Sequence, residues 1–171
     1  MSGERLVFFI TAAAWLVLDL GTKQFMQDLL GRVGSVLWFD GFRFVLVYNH
    51  GAAFGFLSSA GGWQRGFFIV LAALVALYLV WRLWLARPRE KQFNLGLSFI
   101  LGGAIGNMVD RINHGYVIDF IDIYVGAWHW PAFNIADIAI SIGAVIVIAD
   151  SLGLNLLGRG RQEAPKKDSG V

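Results

Sequence analysis

The sequence predicts an all-α membrane protein with four transmembrane helices and a small β-sheet in its first outer loop. The mean hydropathy is +0.61, and only 15% of the 171 residues are charged, whereas soluble globular domains have about 25%. A helix needs roughly 20 mainly apolar residues to cross a bilayer. Four runs approach that length and composition, at residues 6–25, 66–85, 93–112 and 131–152.

The first run begins close to the N-terminus, so it must be distinguished from a cleaved signal sequence. A cleavage site follows small residues, but this run carries Asp19 and Lys23 near its end. We therefore predict that it is retained as an uncleaved anchor.

The lysine and arginine residues predict the orientation, because cytoplasmic loops of membrane proteins are enriched in both. Nine of the 14 belong to ends or connections on one predicted side: Arg5, Arg82, Arg87, Arg89, Lys91, Arg159, Arg161, Lys166 and Lys167. Both termini are therefore predicted to be cytoplasmic, and the first and third loops to lie outside. The formal charge of +2 gives no indication of nucleic-acid binding.

The first outer loop, about 26–65, contains the stretch GFRFVLVYNHGAAFGFL. Aromatic and β-branched residues favour extended structure, so we predict a small sheet on the membrane surface and a mobile cover, or lid, formed by this loop. Residues 1–157 are predicted to form one membrane domain. Residues 158–171 have no apolar pattern and are predicted to be a disordered cytoplasmic tail.

The polar residues within the predicted spans converge on one outer layer of the membrane. A charged residue at the centre of a span costs on the order of 3 kcal/mol, and less near the interface, so such residues should face one another or a wet cavity. Their spacings of three or four residues place them on shared helix faces. The layer comprises Asp19, Lys23, Asn107, Asp110, Arg111, Asn134 and Asp137.

The third span also contains a G-x-x-x-G pattern, formed by Gly102 and Gly106. Small residues at this spacing let two membrane helices approach closely. We therefore expect tight packing of the third span near the polar layer.

Five ordered motifs resemble the bacterial lipoprotein signal peptidases, also called signal peptidase II. They are LVLDLGTK, VYNHGAAFGFL, LGGAIGNMVDR, VIDFIDIY and FNIADIAISIGA, and together they extend over nearly the whole chain. The resemblance implies an aspartic endopeptidase of the inner membrane. It would remove the signal peptide from a prolipoprotein on the N-terminal side of the diacylglyceryl-modified cysteine, near the outer face of the membrane.

The resemblance also implies the residues of the site. The catalytic pair would be Asp119 and Asp137, with water as the nucleophile. Supporting positions that match the family are Asn49, Gly51, Asn107, Arg111 and Asn134. No metal or cofactor is expected. The expected partners are prolipoproteins and membrane lipids, and the chain is predicted to act as a monomer.

Several alternatives remain open at this point. Asp19 and Lys23 could be a structural ion pair or could brace the first helix against the site. Asp110 is expected to be a helix-end residue at the interface, and Asp122 to face the surface. At the level of function, the alternative is a small proton- or ion-coupled transporter with buried relay groups. An intramembrane serine protease is disfavoured because Ser98 and Ser141 have no histidine within their spans.

Overall fold

The computed structural model describes residues 3–51, 61–87 and 90–157, and within these ranges four helices form a bundle. They are α1 (Gly3–Val33), α2 (Trp63–Trp84), α3 (Lys91–Asn113) and α4 (Ile135–Ser151). The first three are long and apolar enough to cross a membrane, in agreement with three of the predicted spans. Because α4 has only 17 residues, the fourth span stays a prediction.

Helix α3 lies at the centre of the bundle and packs against each of the other three helices. Glycines permit this arrangement. A Cβ atom on Gly102 would collide with the backbone of Ala12 in α1, and one on Gly106 would collide with the side chain of Asp19. The close approach expected from the G-x-x-x-G pattern is confirmed, and it places α3 directly against the polar residues of α1.

Helix α1 extends beyond its predicted end at residue 25, so the predicted loop boundary at residue 26 is wrong. The helix ends only at Val33, where Gly34 adopts a φ of 82°. The Gly34 N–H donates to Leu30 O at 2.7 Å. A glycine with positive φ is a common helix terminator, and no comparable terminator occurs near residue 26.

Helix α4 begins at Ile135, four residues after the predicted start of the fourth span. Asn134 has extended backbone angles of −136° and −176° and caps the helix. Before it, Phe133 O accepts hydrogen bonds from the N–H groups of Phe120 and Ile121 at 3.0 and 2.9 Å. The segment before Asn134 is therefore held by a neighbouring strand and is not helical.

A four-stranded antiparallel sheet lies at one end of the bundle. Its order is β1 (Ser35–Phe39), β2 (Phe42–Asn49), β3 (Val117–Val125) and β4 (Trp128–His129). Buried Phe120 and Ile121 pack with Leu30 of α1. The predicted sheet in the first loop is confirmed for β1 and β2, but the sequence did not reveal that it continues into the connection between α3 and α4.

The opposite end of the bundle joins the start of α1, the connection from α2 to α3, and the chain after α4. Lys91 forms an ion pair with Glu4, and Arg5 Nε donates to Ala86 O at 3.4 Å. Gln92 Nε2 donates to Leu154 O at 2.8 Å. The helices thus alternate in direction, as four successive spans require, while the side of the membrane on which each end lies stays a prediction.

One predicted feature lies partly, and another wholly, outside the described residues. Residues 52–60 of the first loop, which is predicted to form the lid, are outside them, and so is the whole C-terminal tail, 158–171.

Candidate active site

Asp119 is the third residue of β3, and its carboxyl group is turned into the bundle. The residue is 2% exposed, and its two oxygens accept hydrogen bonds from two side-chain amides. Asn49 Nδ2 at the end of β2 donates to Oδ2 at 3.1 Å, and Asn134 Nδ2 donates to Oδ1 at 2.7 Å. Pairing of β2 with β3 brings Asn49 to this position although it is distant in sequence.

Asp137 lies in the first turn of α4, where it completes a capping box with Asn134. The Asp137 N–H donates to Asn134 Oδ1 at 3.0 Å, and the Asn134 N–H donates to Asp137 Oδ2 at 3.3 Å. The other carboxyl oxygen, Oδ1, accepts from Asn107 Nδ2 at 2.8 Å. Sequence favours this cap, because an asparagine three residues before an acidic residue satisfies two otherwise unpaired N–H groups.

Asn134 therefore contacts both carboxyl groups at once. Its side-chain amide donates to Asp119, and its backbone and side-chain oxygen hold Asp137. The residue is fully buried, so water does not compete for these bonds. The two aspartates that the resemblance assigned as a pair thus share a common hydrogen-bond partner.

The environment of Asp119 favours its protonated form. Burial, followed by the nearby charge of Asp137, raises the pKa of Asp119 from 3.8 to about 7, against the opposing effect of the amides of Asn49 and Asn134 and of Lys23. Two neighbouring carboxyl groups that cannot both ionise easily are the usual arrangement in aspartic peptidases. Near neutral pH this pair can hold one proton between its members.

Both aspartates line a cavity of about 870 Å³. Asn49, Asn107 and Arg111 contribute polar groups to its wall. Much of the remaining wall is apolar and comes from the segment before α4 and from α4 itself: Trp130, Pro131, Ala132, Phe133, Ile138, Ile140 and Ile142. The cavity can therefore receive an apolar chain beside the two carboxyl groups.

Arg111 closes one side of the site near the end of α3. Its Nη2 donates to Gly51 O at 2.8 Å, and Nη1 donates to Asn107 O at 3.2 Å. The guanidinium lies over the ring of Phe68 at 5.0 Å from the centroid. The structure thus brings Arg111 to the cavity wall. The predicted site residue Gly51 is not part of that wall but is bonded to two residues that are, because Asn49 Oδ1 also accepts from the Gly51 N–H at 3.0 Å.

Asp19 and Lys23 lie beneath the site and form an ion pair at 2.8 Å. Asp110 is a third member, because its Oδ2 lies 2.9 Å from Lys23 Nζ. The expectation that Asp110 meets the interface is wrong, since the residue is 3% exposed. Its spacing from Arg111 and Asn107 was visible in the sequence, but its partner lies on another helix.

Asp122 lies on the same strand as Asp119 but outside the cavity wall. It pairs with Arg43 Nε at 2.6 Å and with His129 Nδ1 at 2.9 Å. The expectation that it faces the surface is wrong, because Asp122 is 4% exposed. Arg43 and His129, which the sequence did not associate with it, cover the carboxyl group.

The fold and the site together define a helical membrane protein with a buried carboxyl pair facing a largely apolar cavity. The sequence profile of the family described as Signal peptidase (SPase) II matches residues 11–153. The chain belongs to this family. It is therefore an aspartic peptidase of the membrane, and it removes signal peptides from prolipoproteins.

Individual relatives agree with this assignment. The chain is 46% identical over 143 residues to a lipoprotein signal peptidase of Alteromonas mediterranea, a match that covers 84% of this chain and 79% of the relative. It is 56% identical over 111 residues to one of Cupriavidus taiwanensis, covering 65% of this chain and 62% of the relative. A solved bacterial membrane enzyme is similar in fold, with a TM-score of 0.73 and 25% identity over 96% of this chain and 94% of that one.

Proposed function

We propose that the chain is an intramembrane endopeptidase in which Asp119 and Asp137 activate water to cleave prolipoproteins before the diacylglyceryl-modified cysteine. The observation that supports this most directly is the pair of buried carboxyl groups joined through Asn134 at the wall of one cavity. The family membership supplies the class of substrate.

The chemistry follows from the pair sharing one proton. The ionised carboxylate accepts a proton from water, so that the oxygen attacks the carbonyl carbon of the peptide bond. The protonated partner donates its proton to the carbonyl oxygen, which gives a tetrahedral diol. When the C–N bond breaks, the first carboxyl group gives the proton it took from water to the departing nitrogen, and the partner recovers its own proton from the diol. Because the two groups interact strongly, their protonation steps belong to the pair and not to either residue alone.

The amides around the pair have a clear role in this mechanism. Asn49, Asn107 and Asn134 donate hydrogen bonds to carboxyl oxygens, which fixes the directions in which the oxygens point. Positioning of reacting groups is worth several kcal/mol of activation free energy when it is set before the reaction. Arg111 Nη2 donates to the Gly51 carbonyl and Asn49 Oδ1 accepts from the Gly51 N–H, so Gly51 links two polar side chains of the cavity wall to each other.

The apolar wall fits a substrate that arrives from the lipid. Ile138 and Ile142 lie one turn apart on α4, and both line the cavity, as does Ser141. A signal peptide is apolar along its central region, and so are the acyl chains of a diacylglyceryl group. Both lose contact with water in such a cavity. We therefore propose that the scissile bond lies near the membrane surface and the apolar parts of the substrate lie within the bilayer.

The proposed location is the bacterial inner membrane, with both termini in the cytoplasm and the site near the outer face. The distribution of lysine and arginine supports this orientation. In the described residues, the buried ionisable side chains lie at the sheet end: Asp19, Lys23, Asp110, Asp119 and Asp122. A proton pathway across the membrane would require such groups at both ends, so this distribution favours the peptidase over a transporter.

The test is cleavage of one prolipoprotein by the purified chain in lipid vesicles, analysed by mass spectrometry. We expect a released signal peptide and a product that begins with the modified cysteine, at rates that EDTA does not change. The matched substrate is the same protein without the diacylglyceryl group. No cleavage, cleavage at another bond, or loss of activity with EDTA that zinc restores would contradict the proposal.

A further inference from the structure

Asp19, Lys23 and Asp110, which we call the Lys23 cluster, form a buried ionic group between α1 and α3. Lys23 Nζ lies 2.8 Å from Asp19 Oδ2 and 2.9 Å from Asp110 Oδ2. The three residues are 0%, 2% and 3% exposed, in the order Asp19, Lys23, Asp110. Ionic groups this deeply buried lose much hydration energy, so their further contacts indicate what the arrangement achieves.

Asp19 has a second contact, which is made to the backbone of α4. Its Oδ1 accepts a hydrogen bond from the Ala136 N–H at 2.8 Å. Ala136 immediately precedes Asp137 and lies in the first turn of the helix, where N–H groups have no partner within the helix. The carboxylate of Asp19 therefore fixes the turn that carries Asp137.

Asp110 makes the corresponding contact to β3. Its Oδ2 accepts from the Ile118 N–H at 3.1 Å, and Ile118 immediately precedes Asp119. Each carboxylate of the Lys23 cluster thus binds the backbone N–H of the residue before one member of the proposed catalytic pair. The first turn of α4 and strand β3, which are separate in sequence, are thereby both connected to the ammonium group of Lys23.

Lys23 itself provides a third connection. Its Nζ donates to Asn107 Oδ1 at 2.9 Å, and Asn107 Nδ2 donates to Asp137 Oδ1 at 2.8 Å. Because an ammonium group can only donate, it fixes which end of the Asn107 amide faces Asp137. A direct chain of contacts therefore runs from Lys23 to a carboxyl oxygen of the site.

We infer that Asp19, Lys23 and Asp110 are positioning residues that set the relative placement of Asp119 and Asp137. They do not line the cavity, so their effect is exerted through the backbone and through Asn107. The inference rests on the proposed function. The contacts of Asp19 with the Ala136 N–H and of Asp110 with the Ile118 N–H should then affect the rate of cleavage as well as stability. Displacement of a reacting group by about 1 Å can lower a rate on the order of 100-fold.

The test compares Asp19→Ala and Asp110→Ala with Asp19→Asn and Asp110→Asn. Alanine removes the acceptor for the backbone N–H, whereas asparagine retains an acceptor oxygen and removes the charge. The control is Ser98→Ala, which removes a buried side-chain hydrogen bond to Leu95 O at 2.6 Å on α3. Thermal stability, kcat, KM and the pH dependence of kcat are measured for each variant on one prolipoprotein.

We expect both alanine variants to lower kcat about 100-fold with KM changed less than about twofold, and the asparagine variants to recover about tenfold of that loss. The pH profile of kcat should also move, since the spacing of the two carboxyl groups sets their protonation. Ser98→Ala should keep the wild-type kcat and profile. If the alanine variants fail to fold, a lowered kcat with unchanged KM in the asparagine variants supports the inference.

A wild-type kcat in the folded alanine variants would overturn the inference. Where alanine prevents folding, a wild-type kcat in the asparagine variants would overturn it. So would variants whose loss of stability is the only change. Failure of the proposed function gives a different result, because Asp119→Asn or Asp137→Asn would then remain active whatever the Lys23 cluster does.

Discussion

Asp119 and Asp122 lie three residues apart on the same strand and are almost equally buried, at 2% and 4% exposure, yet their surroundings are opposite. Asp119 receives neutral amides and faces a second carboxyl group, and its pKa is raised to about 7, chiefly by burial and then by Asp137. Burial also acts to raise the pKa of Asp122, but hydrogen bonds from His129 and Arg43 and their charges outweigh it, so this pKa is lowered.

Similar exposure therefore does not mean similar protonation, because the partners of a carboxyl group and its distance below the protein surface both act on its pKa. Asp122 lies just beneath two half-exposed side chains, Arg43 and His129, is held as an anion by them, and is suited to joining strands. Asp119 can exchange a proton near neutral pH, which an acid or base in hydrolysis must do. Substitutions of these residues and of their partners alter each environment separately.

The largest effect is expected from Asp137→Asn. It removes the charge that raises the pKa of Asp119 and the second member of the pair, while the shape of the side chain is preserved. We expect cleavage to fall by about 10²–10⁴-fold, the usual contribution of a positioned acid or base. Initial rates on one prolipoprotein measure it, and a folded variant with near wild-type activity would contradict it.

Asn134 offers a finer change, because serine is as good a helix cap but has no amide. Asn134→Ser should retain the cap of α4 and lose the donor to Asp119, which lowers kcat about 100-fold through displacement of that carboxyl group. Asn134→Ala should add a loss of about 1 kcal/mol in the free energy of unfolding, because the cap is removed as well. Equal rates for Asn134→Ser and wild type would show that the contact does not matter.

Asp119→Asn should change how stability depends on pH. The pKa of Asp119 is about 7 in the folded protein and 3.8 ordinarily, so the wild type is stabilised fully below the lower value and loses this contribution as pH rises towards the higher one. The variant lacks the group. We expect the difference in melting temperature, Asp119→Asn minus wild type, to increase between about pH 4 and pH 7. Thermal scans in one detergent measure this difference, and a difference that stays constant with pH would refute the prediction.

The smallest effect is expected from Asp122→Asn. Arg43 and His129 are 40% and 41% exposed in their side chains, so loss of the ion pairs should cost only about 1 kcal/mol of unfolding free energy. The sign is opposite to that of Asp119, because the lowered pKa of Asp122 gives stability that is present above its ordinary value and lost at acid pH. Chemical unfolding at two pH values measures it, and greater stability of the variant at neutral pH would be contrary to expectation.

The sequence predicted much of this site because its signals are local. Apolar runs located the helices, and polar residues at spacings of three and four identified the shared layer. The cap at Asn134 could also have been read from its spacing to Asp137. The resemblance, and not the spacing, separated Asp119 from Asp122.

What the sequence could not predict depends on contacts between distant residues. Arg43 reaches Asp122 only because β2 pairs with β3, and Asp110 reaches Lys23 only because α3 packs on α1 through Gly106. In each of these two pairs, the residues are far apart in the sequence. The end of α1 at Val33 was missed for a different, local reason, because it depends on the positive φ of Gly34, which the apolar pattern does not show.

The most direct test of the central claim compares Asp119→Asn with Asp122→Asn in cleavage of one prolipoprotein, with equal amounts of folded, vesicle-inserted protein. The account predicts that Asp119→Asn loses activity by at least about 100-fold, whereas Asp122→Asn cleaves at a rate near that of the wild type. An active Asp119→Asn beside an inactive but well-folded Asp122→Asn would contradict the assignment of Asp119 to the catalytic pair.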